Sequence, residues 1–353
     1  MNRIIVAIDS FKGCLTSAEA NKAAAEGIIA HKPDAEVITI PVSDGGEGWL
    51  EAFQAATGGH LVDVNVNDPL RRPILAQYLM HDDTAVIEIA KASGLTLLSP
   101  KERNPMMTTS YGTGQLIVDA VRRGSRHIIV GLGGSATSDC GIGMLQALIN
   151  GFAPYGTWGD VHALEEVRFT IATDVRNPLC GEKGAAHVFA PQKGANPEMV
   201  IELDERAKQF AEKSALCFGY DCQEVPGAGA AGGLGYAFLQ YLNADCRSGI
   251  DLLLDAVCFE ELLKDTSLII TGEGSADKQT LMGKVPFGIL EKAKPLHVPV
   301  VLIAGRISDK QLLFEAGFSK SECINPPDIS TNEAMKPEIA KRNIAILMQK
   351  IVC

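Results

Sequence analysis

Gly131-Leu132-Gly133-Gly134-Ser135-Ala136-Thr137-Ser138-Asp139-Cys140-Gly141-Ile142-Gly143 follows an apolar strand, His127 to Val130, and leads into an apolar helix. The sequence starts that helix near Asp139 and carries it through Met144, Leu145, Ala147 and Leu148. A glycine-rich strand-to-helix turn is a phosphate-binding device. Its glycines let the backbone approach an anion and adopt positive φ, while the first helical N–H groups and the positive end of the macrodipole point at it. Ser135, Thr137 and Ser138 add hydroxyl donors or an N-cap. One such turn can equally be a tight connection. Similar stretches recur elsewhere in this chain, and the recurrence argues for strand–loop–helix units around parallel sheets.

The 353 residues exceed one ordinary core and predict two domains. A hydrophobic content of 46% against 21% charged residues is globular. The net charge of −11 argues against sequence-independent nucleic-acid binding, which needs a basic footprint. Anionic ligands must then be held by local devices. Nine cysteines without metal-ligand spacing, and an amino terminus that enters a strand at once, predict reduced thiols in a cytoplasmic protein. No apolar run reaches the length of a membrane span.

Arg3 to Ile8 is a continuous apolar run suited to a buried parallel strand, and it ends in Asp9-Ser10-Phe11-Lys12-Gly13. Ligands of open α/β sheets bind at that carboxyl edge. Glu36 to Ile40 is a second strand, running into Ser43-Asp44-Gly45-Gly46-Glu47-Gly48 before a helix. Asp44 can be an N-cap and Glu47 a first-turn acid, or both can face a ligand. The alternating run from Leu61 is broken by Asp68-Pro69-Leu70-Arg71-Arg72-Pro73, a candidate domain crossing. Val167 to Ala172 leads to Asp174, another acid at a strand end, and Pro191-Gln192-Lys193-Gly194 reads as a turn. Gly227 to Gly235 holds five glycines in nine residues, too many for an ordinary helix, and is open to a ligand role or to close helix packing. Ser267 to Ile270 and Pro299 to Ala304 read as buried strands, the first closed by a Thr271-Gly272-Glu273-Gly274-Ser275 loop. Both chain ends thus predict one doubly wound α/β sheet, with residues 1–68 and 265–353 in one domain and 69–264 in a second, mixed α/β domain.

Strand-end acids (Asp9, Asp44, Asp174, Glu273), lysines beside loops (Lys12, Lys193) and several glycine loops suit phosphoryl transfer, which needs positioning, Mg²⁺ and stabilisation of the moving phosphoryl group. No P-loop motif occurs, no dinucleotide fingerprint opens with the first strand, and the hydrolase motifs are missing.

Eight motifs stand in an order that resembles the bacterial glycerate kinase type-1 family: DSFKG from Asp9, DGGEG from Asp44, YGTG from Tyr111, GGSAT from Gly133, NPLCG from Asn177, PQKG from Pro191, PGAG from Pro226 and TGEG from Thr271. The resemblance implies two α/β domains, the first Rossmann- or flavodoxin-like, with the active site in the cleft. It implies ATP- and Mg²⁺-dependent phosphorylation of D-glycerate at the 2-hydroxyl, giving 2-phospho-D-glycerate, with the 3-hydroxyl or another small hydroxy acid as the alternative acceptor. A non-catalytic nucleotide-binding regulator on the same scaffold is the alternative from another class. On this resemblance Lys12, Asp44 and Asp174 are the expected catalytic residues, with Asp44 and Asp174 also the expected magnesium ligands. Asp9, Ser10, Ser43, Glu47 and Lys193 are expected at the substrate. Gly133, Gly134, Ser135, Ala136, Thr137, Gly227, Gly229 and Glu273 are expected at the ATP phosphates. The resemblance leaves room for a monomer or a homodimer. Two features depart from the family pattern: a short 151–166 stretch, and Ser275 where an arginine is usual.

Overall fold

The computed structural model describes residues 3–46 and 48–353. Its strands, in chain order, are β1 (Arg3–Ile8), β2 (Glu36–Thr39), β3 (His60–Asn67), β4 (Pro73–His81), β5 (Thr84–Glu88), β6 (His127–Gly131), β7 (Arg168–Ala172), β8 (Asp245–Arg247), β9 (Thr266–Ala276), β10 (Val300–Ile307) and β11 (Lys320–Cys323). Contacts divide the chain into two units, residues 1–44, 51–57 and 250–353 in one, and 45–50 and 58–249 in the other. The Asp68–Pro73 stretch, expected as a domain crossing, is a hairpin turn between β3 and β4 inside the second unit. Asp68 closes it by accepting from the N–H groups of Leu70 and Arg72 and from the Arg72 guanidinium.

The first unit is built on a five-stranded, all-parallel sheet in the order β11-β10-β9-β1-β2. Numbered within the unit, that is the doubly wound 2-1-3-4-5 arrangement, so both faces need helical cover and β1 is buried along almost its whole length. The Ser17–His31 helix starts on a capping box between Thr16 and Glu19. It lies close against the Pro337–Ile351 helix because Gly27 has no side chain; a Cβ there would stand 2.5 Å from the Ala345 carbonyl oxygen. β9 runs on through Thr271-Gly272-Glu273-Gly274-Ser275, where the sequence suggested a loop. Its pairing with β10 continues to Ala276↔Ile307, and Gly272 serves that pairing, since a Cβ would meet the Ile303 carbonyl oxygen at 2.3 Å.

The second unit carries a six-stranded mixed sheet, β3-β4-β5-β6-β7-β8, antiparallel through β3, β4 and β5 and parallel from β5 to β8. Its core joins Tyr78, Ile87, Leu116, Ile128, Val130, Phe169 and Phe238. The Tyr111–Arg122 and Ile142–Phe152 helices meet closely at Gly114, where a Cβ would stand 2.5 Å from the Met144 carbonyl oxygen. Residues 185–189, short and apolar in sequence, form a helix.

Candidate functional site

In the first unit, strand order reverses between β1 and β9, and a doubly wound sheet presents its ligand crevice at the carboxyl ends flanking such a switch point. Asp9 follows β1 there and Glu273 lies on β9. The Asp9 N–H donates to the Gly272 carbonyl, and the Asp9 carboxylate accepts from the Ser10 N–H at 2.7 Å. Burial, then the negative charge of Asp44, pushes the Asp9 carboxyl up to about 7; Glu273 adds to this, while Ser10 and Lys12 oppose it. Glu273 is satisfied by Thr280 Oγ1 at 2.6 Å and Lys284 Nζ at 2.9 Å. Neither partner was singled out in the sequence, because they lie on a turn and a helix start beyond the strand. Lys12 is exposed on a turn closed by the Phe11–Leu15 bridge, Ser43 is buried and Asp44 is partly exposed. Glu47 lies outside the described residues.

In the second unit the Gly133–Thr137 turn leaves the carboxyl end of β6, and six of the ten polar groups of its backbone are engaged. Gly133 N–H donates to Gly45 O, Leu95 N–H to Gly134 O, Ala136 N–H to Ser93 O, Thr108 Oγ1 to Ala136 O and Thr137 N–H to Ser135 Oγ. The exceptions among the described residues are the carbonyls of Gly133 and Ser135 and the N–H groups of Gly134 and Ser135, the last two meeting no protein acceptor. Gly134 is exposed with φ +71°, so this is the part of the turn that an anion can reach.

The helix after the turn starts at Ile142 rather than near Asp139, because Asp139 caps it: its carboxylate accepts from Gly141 and Gly143 N–H as well as from Ser110. The helix terminus is therefore occupied by the protein's own anion. The hydroxyls of Ser135 and Thr137, expected as ligand donors, are buried and bonded to each other at 3.1 Å. Ser135 Oγ also reaches the Ala231 carbonyl. Lys193, expected at substrate, is only 3% exposed, and its Nζ donates to Thr137 O at 2.5 Å and Ser135 Oγ at 3.5 Å.

The Gly227–Gly235 run packs. Ala231, Gly232 and Gly233 have left-handed backbone, and a Cβ on Gly232 would stand 2.0 Å from the Thr137 carbonyl oxygen. Gly235 would strike Gly227 O at 2.1 Å and Gly229 would strike Pro178 O at 2.3 Å. Gly227 and Gly229, expected at the phosphates, are buried, and the Gly229 N–H is already bonded to Asn177 O. Close packing accounts for the run. Asp174, two residues beyond β7, is partly exposed; burial, then the Asp174 charge, raises the Cys246 thiol. One surface pocket lies beside Cys258 and Lys292 and another beside Arg122 and His162, away from these residues. All nine cysteines are free thiols, and no helix among the described residues is long and apolar enough to cross a membrane.

The doubly wound sheet of one unit and the mixed sheet of the other define a two-unit α/β enzyme scaffold. The glycerate kinase family model matches residues 4–155 and 158–353, and this chain belongs to that family. It is 42% identical to a glycerate kinase of Bacillus subtilis, covering 95% of this chain and 93% of that one, and 41% identical to a glycerate 2-kinase of Escherichia coli, covering 87% of this chain and 86% of that one. A Salmonella typhimurium LT2 protein provisionally assigned as glycerate kinase 2 has a crystal structure that superposes with a TM-score of 0.84 at 37% identity, covering 99% of this chain and 97% of that one. The break in the family match at 156–157 falls inside the short 151–166 stretch, which here holds two 3₁₀ turns, Trp158–Asp160 and His162–Leu164.

Proposed function

We propose that this protein is a cytoplasmic kinase that transfers the γ-phosphoryl group of ATP to the 2-hydroxyl of D-glycerate, giving 2-phospho-D-glycerate and ADP. The observation that carries the phosphoryl-donor side is the pair of adjacent N–H groups at Gly134 and Ser135, without protein acceptors among the described residues, on a glycine-rich turn after β6. Membership of the glycerate kinase family, with the Escherichia coli glycerate 2-kinase among the relatives, supports the acceptor.

In this reading the glycerate oxygen attacks the γ-phosphorus while the bond to the β–γ bridging oxygen breaks, and the hydroxyl proton passes to a carboxylate, Asp44 or Asp174. Lys12, exposed at the carboxyl edge of the first sheet, contacts the moving phosphoryl group or the glycerate carboxylate. Asp9, Ser10 and Ser43 stand at the same edge and hold the acceptor. Mg²⁺ is typically bound by one or two carboxylates together with phosphate oxygens and supplies charge neutralisation. The partly exposed carboxylates of Asp44 and Asp174 fit that donor chemistry. A loose phosphoryl transition state asks little of the base.

The test is ADP release with ATP, Mg²⁺ and D-glycerate, followed by enolase with and without phosphoglycerate mutase. A product used by enolase directly establishes the 2-hydroxyl; dependence on the mutase moves the reaction to the 3-hydroxyl. Lys12→Met and Asp174→Asn should each lower turnover by about two orders of magnitude or more with the fold intact, and wild-type turnover in either removes that residue from the mechanism.

A further inference from the structure

Lys193 is an expensive residue to bury. Its ammonium is enclosed, and its hydrogen-bond partners are one carbonyl, Thr137 O, and one hydroxyl, Ser135 Oγ. The titratable groups acting on it are Asp139 and Cys140. The Asp139 carboxylate is already engaged by Ser110, Gly141 and Gly143, and burial keeps the Cys140 thiol protonated. Both ends of the lysine are fixed: Lys193 N–H donates to Ala190 O, and Gly194, at φ +97°, sits where a Cβ would stand 2.3 Å from the Arg103 carbonyl oxygen. A methionine would fill the same space without the cost of a buried charge. What the charge touches is the same turn that carries the Gly134 and Ser135 N–H groups, which have no protein acceptor among the described residues.

We propose that Lys193 is a positioning residue for the phosphoryl donor: its buried ammonium fixes the Ser135–Thr137 backbone and places a positive charge against the turn that carries the Gly134 and Ser135 N–H groups, where a nucleotide phosphate binds. This rests on the reading of that turn as the ATP site. Lys193 does not contact the acceptor.

Two variants separate charge from packing. Lys193→Met should raise the KM for ATP by about 10- to 100-fold, as the loss of a charge-assisted contact does, with the KM for glycerate changed less than about threefold. Lys193→Gln, which keeps a donor without charge, should fall between Met and wild type. In the unmodified enzyme, burial lowers the lysine to about 8, so ATP affinity should weaken as pH rises through that value; Lys193→Met should show no such step. Direct ATP titration reads the same quantity without turnover, so a wild type that binds ATP but does not phosphorylate glycerate ends the acceptor assignment and leaves this proposal open to the same variants. Wild-type ATP affinity in Lys193→Met, or an equal rise in both KM values, overturns it. If neither variant folds, the wild-type pH profile decides, and a flat profile between pH 7 and about 9.5 counts against it.

Discussion

Two glycine-rich stretches of the second unit look alike in sequence and do opposite work. Gly133–Thr137 holds its backbone so that two N–H groups stay open, whereas Gly227–Gly235 brings its glycines against other backbone and buries them. The second supports the first: Cys140 N–H donates to Gly232 O, and Ser135 Oγ reaches Ala231 O. A glycine count therefore reports close approach without saying whether the approaching group is a ligand or the chain itself.

Gly232→Val is the most damaging way to break that distinction. The new side chain would meet Thr137 O and Ser138 Cα on a backbone at φ +69°, so overpacking and left-handed strain act together. We expect a loss of at least about 3–5 kcal/mol, read as a melting temperature lowered by about 10 °C or more, or as insoluble protein. Folded Gly232→Val with wild-type stability would mean that the run has room for a ligand after all.

Gly134→Val should separate function from stability in the opposite direction. Gly134 is exposed, and its nearest neighbour to a new Cβ is Ala90 Cβ at 3.2 Å, so the main structural cost is a left-handed φ of about 1–2 kcal/mol. The side chain would keep an anion from the backbone, and ATP affinity should fall about 10- to 100-fold. Unchanged affinity in a titration would take the turn out of the nucleotide site.

How much of this was legible in the sequence depends on the range of the interaction. The runs Arg3–Ile8 and Pro299–Ala304 announce buried parallel strands because their apolar character is local, and the glycine turn after β6 is visible for the same reason. β8 and β11, with Asp245-Cys246-Arg247 and Lys320-Ser321-Glu322-Cys323, are short, polar edge strands recognised only by their neighbours. The helix start at Ile142 moved because Asp139 acts as a cap, a role its position before Gly141 permits but does not require. Lys193 gave no sign of burial, since a lysine in a Pro-Gln-Lys-Gly turn is ordinarily solvated; its partners are 56 and 58 residues away. Contacts at that separation are set by tertiary packing.

The same distinction, between a group that serves the fold and one the fold must tolerate, can be drawn for Asp9 with the smallest of these effects. Its carboxyl is held near 7, above the ordinary value for an unfolded chain, so the folded protein binds the proton more tightly. Stability from this group is then fullest below about pH 4 and falls as pH rises through about 7, the reverse of a salt-bridged aspartate. Asp9→Asn removes the charge and keeps an oxygen for the Ser10 N–H. It should leave stability nearly unchanged at pH 4 and raise it at pH 8 by about 1–3 kcal/mol, a few degrees in melting temperature, while lowering turnover. A variant no more stable than wild type at pH 8 would show that Asp9 is comfortably solvated, and that the carboxyl edge of the first sheet stores no electrostatic cost to be released by a ligand.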